Sequence, residues 1–386
     1  MKIKLGDICT FQSGGTPTKG TEEFFNGTIP WITTTALNGG KIDGTQAVNW
    51  ITEKAIEKSA AKLVPAFSIM VGTRVGVGKV AVNTVQMSTS QDIISLINID
   101  ENRWDKDYLC KYIQGKNAFL NSQARGATIK GIKMDVLANL ELEEITLENQ
   151  ARISETIDGV KVILDARKNE LLELDKLVKA RFAELFGNPY SSDFKFEKCK
   201  LLEIATKVTD GEHGTVPRVN KGEGPLYVMA RNITQNNAMD FSELSYIPQE
   251  NHDKIYSRCN PEKGDLLLVC VGATVGKVAL VPDMEPFSLA RSVALIKPDK
   301  KIVTSEFLLH LMNSDYIQNQ IQNSLHAAAQ AGLYTKTIAS LEVFAPPMRL
   351  QKQFSEFVEK IDKSKLLEAR QGGFIAKTGR QISFCR

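Results

Sequence analysis

The segment SIMVGTRVGVGKVAV, residues 68–82, returns as LLLVCVGATVGKVALV at 266–281, so that Lys277 repeats Lys79 after 198 residues. Upstream, KLGDI from Lys4 returns as KLLEI from Lys200, and IPWITTTALN from Ile29 as GPLYVMARNI from Gly224. Downstream, VLANLELEEITLENQARISETID from Val136 returns as TIASLEVFAPPMRLQKQFSEFVE from Thr337. Offsets near 200 held over most of a chain of 386 residues mean two copies of one domain, and the fold must accommodate that duplication.

Each copy has the same internal order: about 140 residues rich in β-branched residues, Gly, Thr and Asn, then a helical segment. The chain reads as α+β, with a mixed, β-rich domain over 1–146, a long helix over 147–187 and a second such domain over 188–346. A shortened helix follows over 347–371, then a tail, 372–386. In the first helix Ile153, Ile157, Val160, Leu164, Leu171, Leu174, Val178 and Leu185 alternate at spacings of four and three, with Arg167 and Arg181 in the gaps. That is a coiled-coil seam on a helix roughly 55 to 60 Å long, stopped by Gly187 and Pro189. The second helix repeats the pattern with Phe354, Val358 and Ile361 and is expected to break at Gly372-Gly373. Two helices that each need a partner suggest antiparallel pairing, with the domains related by a pseudo-twofold axis. A binder of two half-sites on a duplex needs that arrangement; two ligand-binding domains on a structural linker fit composition equally well.

Several chemistries are excluded or left without support. VGTRVGVGKVAV has five residues between Gly72 and Gly78 and a valine where a phosphate loop needs a hydroxyl. The residues after Gly78 alternate like a strand, whereas a dinucleotide fingerprint must open a helix. Composition is that of a soluble chain, 42% hydrophobic and 24% charged, with no apolar leader or membrane span, so a cytoplasmic location is expected. Cys9, Cys110, Cys199, Cys259, Cys270 and Cys385 lack metal or disulfide spacing. His213, His252, His310 and His326 lie in no ligand or nucleophile pattern, and Asn188-Pro189-Tyr190 reads as a helix terminator. The net charge of +3 neither announces nor excludes nucleic acid, since a local basic groove suffices.

Polar side chains recur around the glycine turns of both copies. The first offers Thr16 and Lys19 before a strand, Thr33, Thr34, Thr35 and Asn38 after it, Arg74 and Lys79 in the glycine turn, and Ser90 and Gln91 beyond. The second offers His213, Thr215, Arg218 and Lys221, then Arg231, Asn232, Thr234 and Gln235, then Thr274 and Lys277, then Arg291 and Ser292. These residue types can hydrogen-bond base edges and phosphates. The glycine framework is kept while the polar residues differ, as suits modules that read different sequences.

With KLGDI, the GGTP and IPWI segments, both glycine-lysine turns, Ala345-Pro346-Pro347 before LQKQ, the Gln-led helices and LFGNP closing the first helix, the chain resembles the specificity subunit of type I restriction-modification systems over about residues 1–371. The resemblance implies a chain with no catalytic site, carrying two target recognition domains separated by two conserved helices in an antiparallel coiled coil. Each domain would read one half of a bipartite DNA target, with the helices setting the spacer. It further implies docking of two methyltransferase subunits, here placed on the helix faces around Gln150 and Gln351, and recruitment of restriction subunits. S-adenosylmethionine, ATP and magnesium would belong to those partners, and no cofactor or metal to this chain. The tail GGFIAKTGRQISFCR departs from the pattern: it has no apolar seam and no match to LFGNP, so an incomplete coiled coil or a truncated or recombined subunit is expected. Two other readings stay open. One is a duplicated ligand- or protein-binding scaffold without DNA affinity; the other is an enzyme with methyltransferase or nuclease chemistry in one domain.

Overall fold

The computed structural model describes residues 2–18, 20–126, 130–327 and 332–382, with side chains as far as Leu366 except that of residue 327. The chain divides into two compact units, residues 1–166 with 372–386, and residues 167–371.

Unit 1 contains β1 (Lys2–Lys4), β2 (Thr10–Ser13), β3 (Phe25–Ile32), β4 (Lys41–Ile42), β5 (Asn49–Ile51), β6 (Leu63–Val64), β7 (Ile69–Gly72), β8 (Val80–Asn83), β9 (Met87–Thr89), β10 (Ile93–Ile97) and β11 (Glu141–Glu143). Its helices are α1 (Glu53–Lys58), α2 (Lys106–Gly115), α3 (Asn117–Gln123), α4 (Met134–Ala138) and the first half of α5 (Leu147–Phe186). The strands form a five-stranded sheet in the order β2-β10-β7-β8-β4 and a four-stranded sheet β5-β3-β9-β6. β7 is apolar at every position because both its faces are covered. Ile69 and Val71 pack with Leu109 and Ile113 of α2, while Met70 points the other way and joins Ile32 and Met87. Each such side chain, taken fully out of water, contributes about 1.5–3 kcal/mol.

Unit 2 holds the second half of α5, β12 (Lys198–Lys200), β13 (Ala205–Asp210), β14 (Tyr227–Val228), α6 (Gln249–Cys259), β15 (Leu266–Val269), β16 (Val278–Leu280), β17 (Ser288–Leu289) and β18 (Val293–Pro298). It continues with α7 (Ser305–Met312), α8 (Asp315–Ala327), α9 (Thr335–Ala339), β19 (Glu342–Phe344) and the start of α10 (Met348–Ile382). The central sheet, β13-β18-β15-β16, repeats the topology of β2-β10-β7-β8. β15 repeats the two-sided burial of β7: Leu266 and Leu268 face the helices, Leu267 and Val269 the opposite core. Strand pairing corrects one sequence register. Trp31 pairs with Ser88 as Tyr227 pairs with Ser288, so Trp31 corresponds to Tyr227, one residue from the match begun at Ile29 and Gly224.

The predicted seam is visible in burial. Ile153, Ile157, Val160, Arg167, Leu171, Leu174, Val178, Arg181 and Leu185 are buried or half-buried, and Leu164 is the exception at 38% exposed. Within unit 2 the two helices run antiparallel, since Asp175 meets Lys365 (2.7 Å), Arg181 stacks on Phe357 (5.9 Å) and Phe182 packs against Phe354 (5.4 Å). Position rises on one helix as it falls on the other. Arg181 fills its gap in the seam by that stacking and an ion pair with Glu184. Gly187 ends α5 with φ +75° and an N–H bonded to the Ala183 carbonyl, and Asn188 accepts from the Tyr190 N–H, as a helix terminator should. α10 departs from expectation: its backbone stays helical through Gly372-Gly373 to Ile382. Two glycines cost about 2 kcal/mol relative to alanine, which slows propagation without forbidding it once a long helix is established.

Candidate nucleic-acid interface

The stretch that looked like a phosphate loop is the turn of a β-hairpin. In unit 1 the Gly72 N–H donates to the Lys79 carbonyl (2.8 Å) and the Gly78 N–H to the Gly72 carbonyl (2.9 Å); β8 follows directly. In unit 2 Val269 and Lys277 make the same bond (2.8 Å), as do Gly276 and Val269 (3.0 Å), and β16 follows. Neither turn opens a helix, so neither presents a helix N-terminus to a pyrophosphate. Gly78 and Gly276 are the equivalent glycines. Both have positive φ, +78° and +97°, and a Cβ would lie 2.8 Å from Asn117 Nδ2 in one and 2.6 Å from Gln318 Oε1 in the other. Those two side chains stand on α3 and α8, so each turn is seated on the helix beneath it.

Hydrogen bonds bring the four polar segments of each copy together. In unit 1 the Gly14 N–H bonds the Ile93 carbonyl (3.0 Å), Gly15 bonds Thr89 (2.9 Å), Ser90 bonds Ile32 (2.9 Å) and Thr73 bonds Asp92 (2.8 Å). In unit 2 Gly211 bonds Val293 (3.1 Å), Glu212 bonds Leu289 (2.9 Å), Ala290 bonds Val228 (2.9 Å) and Cys270 bonds Ser292 (2.9 Å). The two sets match bond for bond. They fix the loop after the first strand, the short turn after β3 or β14, the glycine turn and the segment before β10 or β18 against one another.

Not every predicted side chain is presented by this framework. Thr34, Ser90 and Asn232 are buried. Asn232 accepts from the Met229 N–H and donates to the Asp240 and Glu243 carbonyls, so it braces its own loop. Thr33 and Thr35 share a hydroxyl bond (2.8 Å), Asn38 accepts from the Gly40 N–H and Thr234 closes its own turn. Ser292 accepts from the Ala230 N–H (3.2 Å). Arg218 stacks on Tyr227 (4.4 Å), Arg231 donates to Ser245 (2.7 Å), and Arg74 lies 3.8 Å from Asp92. Thr16, Thr274 and Lys277 are half-buried, while Lys79, Gln91, Thr215, Lys221, Gln235 and Arg291 are exposed. Lys19 lies outside the described residues.

Gln150 and Gln351 require a correction. Both are fully buried, so neither side chain can form a docking face. Gln150 Oε1 accepts from the Asp105 N–H (2.8 Å), and its Nε2 donates to the Arg103 and Ile145 carbonyls (2.8 and 2.9 Å). Gln351 makes the same three bonds, to Thr304 (2.8 Å), Ile302 (2.9 Å) and Pro346 (2.7 Å). Each pins the first turn of its long helix to its own domain, satisfying backbone groups that water cannot reach.

In unit 2, Asp210, His213, Cys270, Arg291 and Tyr334 surround a small cavity of about 60 Å³ beside the glycine turn. His213 Nε2 lies 2.6 Å from Asp210 Oδ2. Burial pushes the Cys270 thiol up to about 12, so it stays protonated and is no nucleophile at neutral pH. Tyr334, half exposed at this rim, is absent from the sequence-derived set; its signal is its place just after the glycine that pairs with Val271. His252 is structural, bonded to the Ser288 hydroxyl (2.9 Å) and stacked on Tyr256. Cys9, Cys110, Cys199, Cys259 and Cys270 are free and at least half-buried, and Cys385 lies outside the described residues. Among the described residues no group of three or more His, Cys, Asp or Glu could hold a metal, and no helix is long and apolar enough to cross a membrane.

Comparison with known proteins gives a consistent picture. The family model for the type I restriction modification DNA specificity domain matches residues 1–174 and again 195–371. The type I restriction enzyme MjaVIII specificity subunit of Methanocaldococcus jannaschii is 20% identical, with 98% of this chain and 90% of that protein aligned. The EcoR124I/EcoR124II specificity subunit of Escherichia coli is 30% identical over 40% of this chain and 39% of its own. Among solved structures, the type I restriction-modification S subunit of M. genitalium aligns with a TM-score of 0.57 at 15% identity, covering 99% of this chain and 94% of that one. A chain from a structure addressing complex assembly and conformational transition of the type I R-M system aligns at 0.64, also at 15% identity, covering 99% and 96%.

Proposed function

Because the chain belongs to the family of type I restriction-modification DNA specificity subunits, we propose that each unit reads one half of a bipartite DNA target and that the whole chain directs partner subunits to it. A specificity subunit of this family is non-catalytic, so methylation of adenine at N6 and DNA cleavage fall to the partners. S-adenosylmethionine, ATP and magnesium go with those partners, two methyltransferase subunits and the restriction subunits.

The observation that carries the reading is the doubled framework: one bonding pattern, built twice, presents different polar side chains. A duplicated ligand-binding scaffold would keep such a frame as well; the match of both copies to the type I restriction modification DNA specificity domain favours DNA as what the changing residues meet. Partner docking is proposed on the part of α5 that belongs to unit 1, where Val162 (68% exposed) and Ile163 leave apolar area in solvent.

Lys79 tests the DNA-binding role. It is exposed beside the turn and among the described residues has no acidic partner, so its charge is available to a phosphate. Lys79→Ala is expected to weaken binding to all duplexes alike and to lower the slope of log K against log salt by about one. An unchanged slope removes Lys79 from the interface. Salt-independent binding by the unaltered chain would overturn DNA reading by this surface altogether.

A further inference from the structure

One position in the doubled framework is occupied by side chains with different base preferences, glutamine in one unit and arginine in the other. Gln91 lies between Ser90, whose N–H bonds the Ile32 carbonyl, and Asp92, whose carbonyl accepts from Thr73. Arg291 lies between Ala290, whose N–H bonds the Val228 carbonyl, and Ser292, whose carbonyl accepts from Cys270. Both turns close with a further bond, from Ile93 to Ser90 (3.1 Å) and from Val293 to Ala290 (2.9 Å). The backbone environment is therefore the same on both sides of the residue, and Gln91 and Arg291 correspond.

Both side chains are exposed, and among the described residues neither makes a hydrogen bond or ion pair through its side chain. Several of the other polar residues in the two sets are spent on their own loops, whereas Gln91 and Arg291, like Lys79, Thr215, Lys221 and Gln235, remain exposed and able to meet a ligand. Their chemistry differs in a way that matches bases. The glutamine amide offers one donor and one acceptor in a plane, complementary to the N7 acceptor and N6 donor of adenine. The guanidinium offers two parallel donors, complementary to guanine O6 and N7.

We propose that Gln91 and Arg291 hold the same base-reading position in the two units, Gln91 selecting adenine in one half-site and Arg291 selecting guanine in the other, each through the major groove. This rests on the DNA-reading function proposed above. The wider surroundings follow the same division. Arg291 shares its cavity with His213, Asp210 and Tyr334, where the unit 1 positions that correspond through the paired glycines, Gly14 with Gly211 and Gly131 with Gly332, carry Thr16, Ser13 and Lys133. The two units thus present different chemistry from one backbone.

The test is selection from a randomised duplex pool by the full chain, followed by sequencing, for the unaltered protein and for Arg291→Gln and Gln91→Arg. Each replacement is a residue the sister unit already carries at that exposed position, and an unshifted melting temperature verifies that the variants fold. Arg291→Gln is expected to change one column of one half-site from G·C to A·T, with relative preference at that column moving about tenfold or more, and Gln91→Arg to do the reverse in the other half-site. If the unaltered chain selects a bipartite motif and neither variant changes it, the base-reading assignment falls while the function stands. A uniform loss of affinity across all sequences would make the position a phosphate contact and also overturn it. If the unaltered chain selects no motif, DNA reading itself fails, and this inference with it.

Discussion

The two units share a sheet, a hairpin turn and a buried glutamine, yet they fasten their long helices by different chemistry. In unit 1 the root of α5 is held by charge: Lys111 on α2 donates to Ser154 (2.7 Å) and to Asp158 (2.9 Å). In unit 2 the corresponding position on α7 is His310, which packs edge-on against Phe354 of α10 (5.0 Å). Around it Phe182, Phe186, Phe307 and Phe354 form one aromatic cluster with centroids 4.8–5.6 Å apart. A duplicated domain can therefore keep its hydrogen-bonded frame while its packing diverges, because the frame depends on backbone and glutamine, and the packing only on filled volume.

The largest expected consequence is an asymmetry in truncation. Phe354→Ala should cost about 4 kcal/mol, from an aromatic side chain fully buried among others, whereas Ile153→Ala at the matching position of α5, half-buried, should cost only about 1–2 kcal/mol. Equal losses in denaturant titration would mean the two roots are not packed differently. The glutamines should behave alike: Gln150→Leu and Gln351→Leu each strand three buried backbone groups and should cost about 3 kcal/mol. A neutral effect at either one breaks the correspondence.

Acid should separate the units again. Burial, with Lys365 adding to it, pushes His310 down to about 4, so it is neutral in the fold. Between that value and the ordinary 6.5 the unfolded chain binds the proton and the folded one does not. The contribution is whole above pH 6.5 and is lost as pH falls toward 4, at up to about 1.4 kcal/mol per pH unit. His310→Gln should flatten that slope in unfolding measurements; a slope unchanged by the substitution places its origin elsewhere. The smallest effect concerns a strained turn. Phe67 has φ +60° before β7, where unit 2 places Gly264 at φ +84° before β15. Phe67→Gly should stabilise by about 0.5 kcal/mol, relief of backbone strain outweighing glycine's entropy, while Gly264→Ala should destabilise by about 1–2 kcal/mol. Shifts in melting temperature of the same sign would refute the equivalence.

The duplication, the seam of α5 and the hairpin nature of the glycine turn are legible because each rests on spacing, which sequence carries directly. Burial of polar residues is not. Gln150 and Gln351 lead their helices and read as surface residues, but a glutamine can satisfy one backbone donor and two carbonyls at once, and only the fold reveals that these groups lie within its reach. Asn232 and Thr34 read as DNA contacts for the same reason and are interior. Lys79, Gln91 and Arg291 stand out by residue type; the match of STSQD from Ser88 with SLARS from Ser288 already sets the last two opposite each other, and the hydrogen bonds on either side of them repeat that register. The continuation of α10 past Gly372-Gly373 is hidden because glycine reads as a stop, when its cost inside a helix is about 1 kcal/mol per residue.

The central claim is that one frame, built twice, reads two independent half-sites. Its most direct test is the map of N6-methyladenine in DNA from cells carrying this chain with the methyltransferase proposed as its partner, before and after residues 197–345 are exchanged for another version of that domain. The account predicts a bipartite motif in which the exchange alters one half and leaves the other half and the spacer unchanged. A motif altered in both halves, or one with no unread spacer, would contradict it.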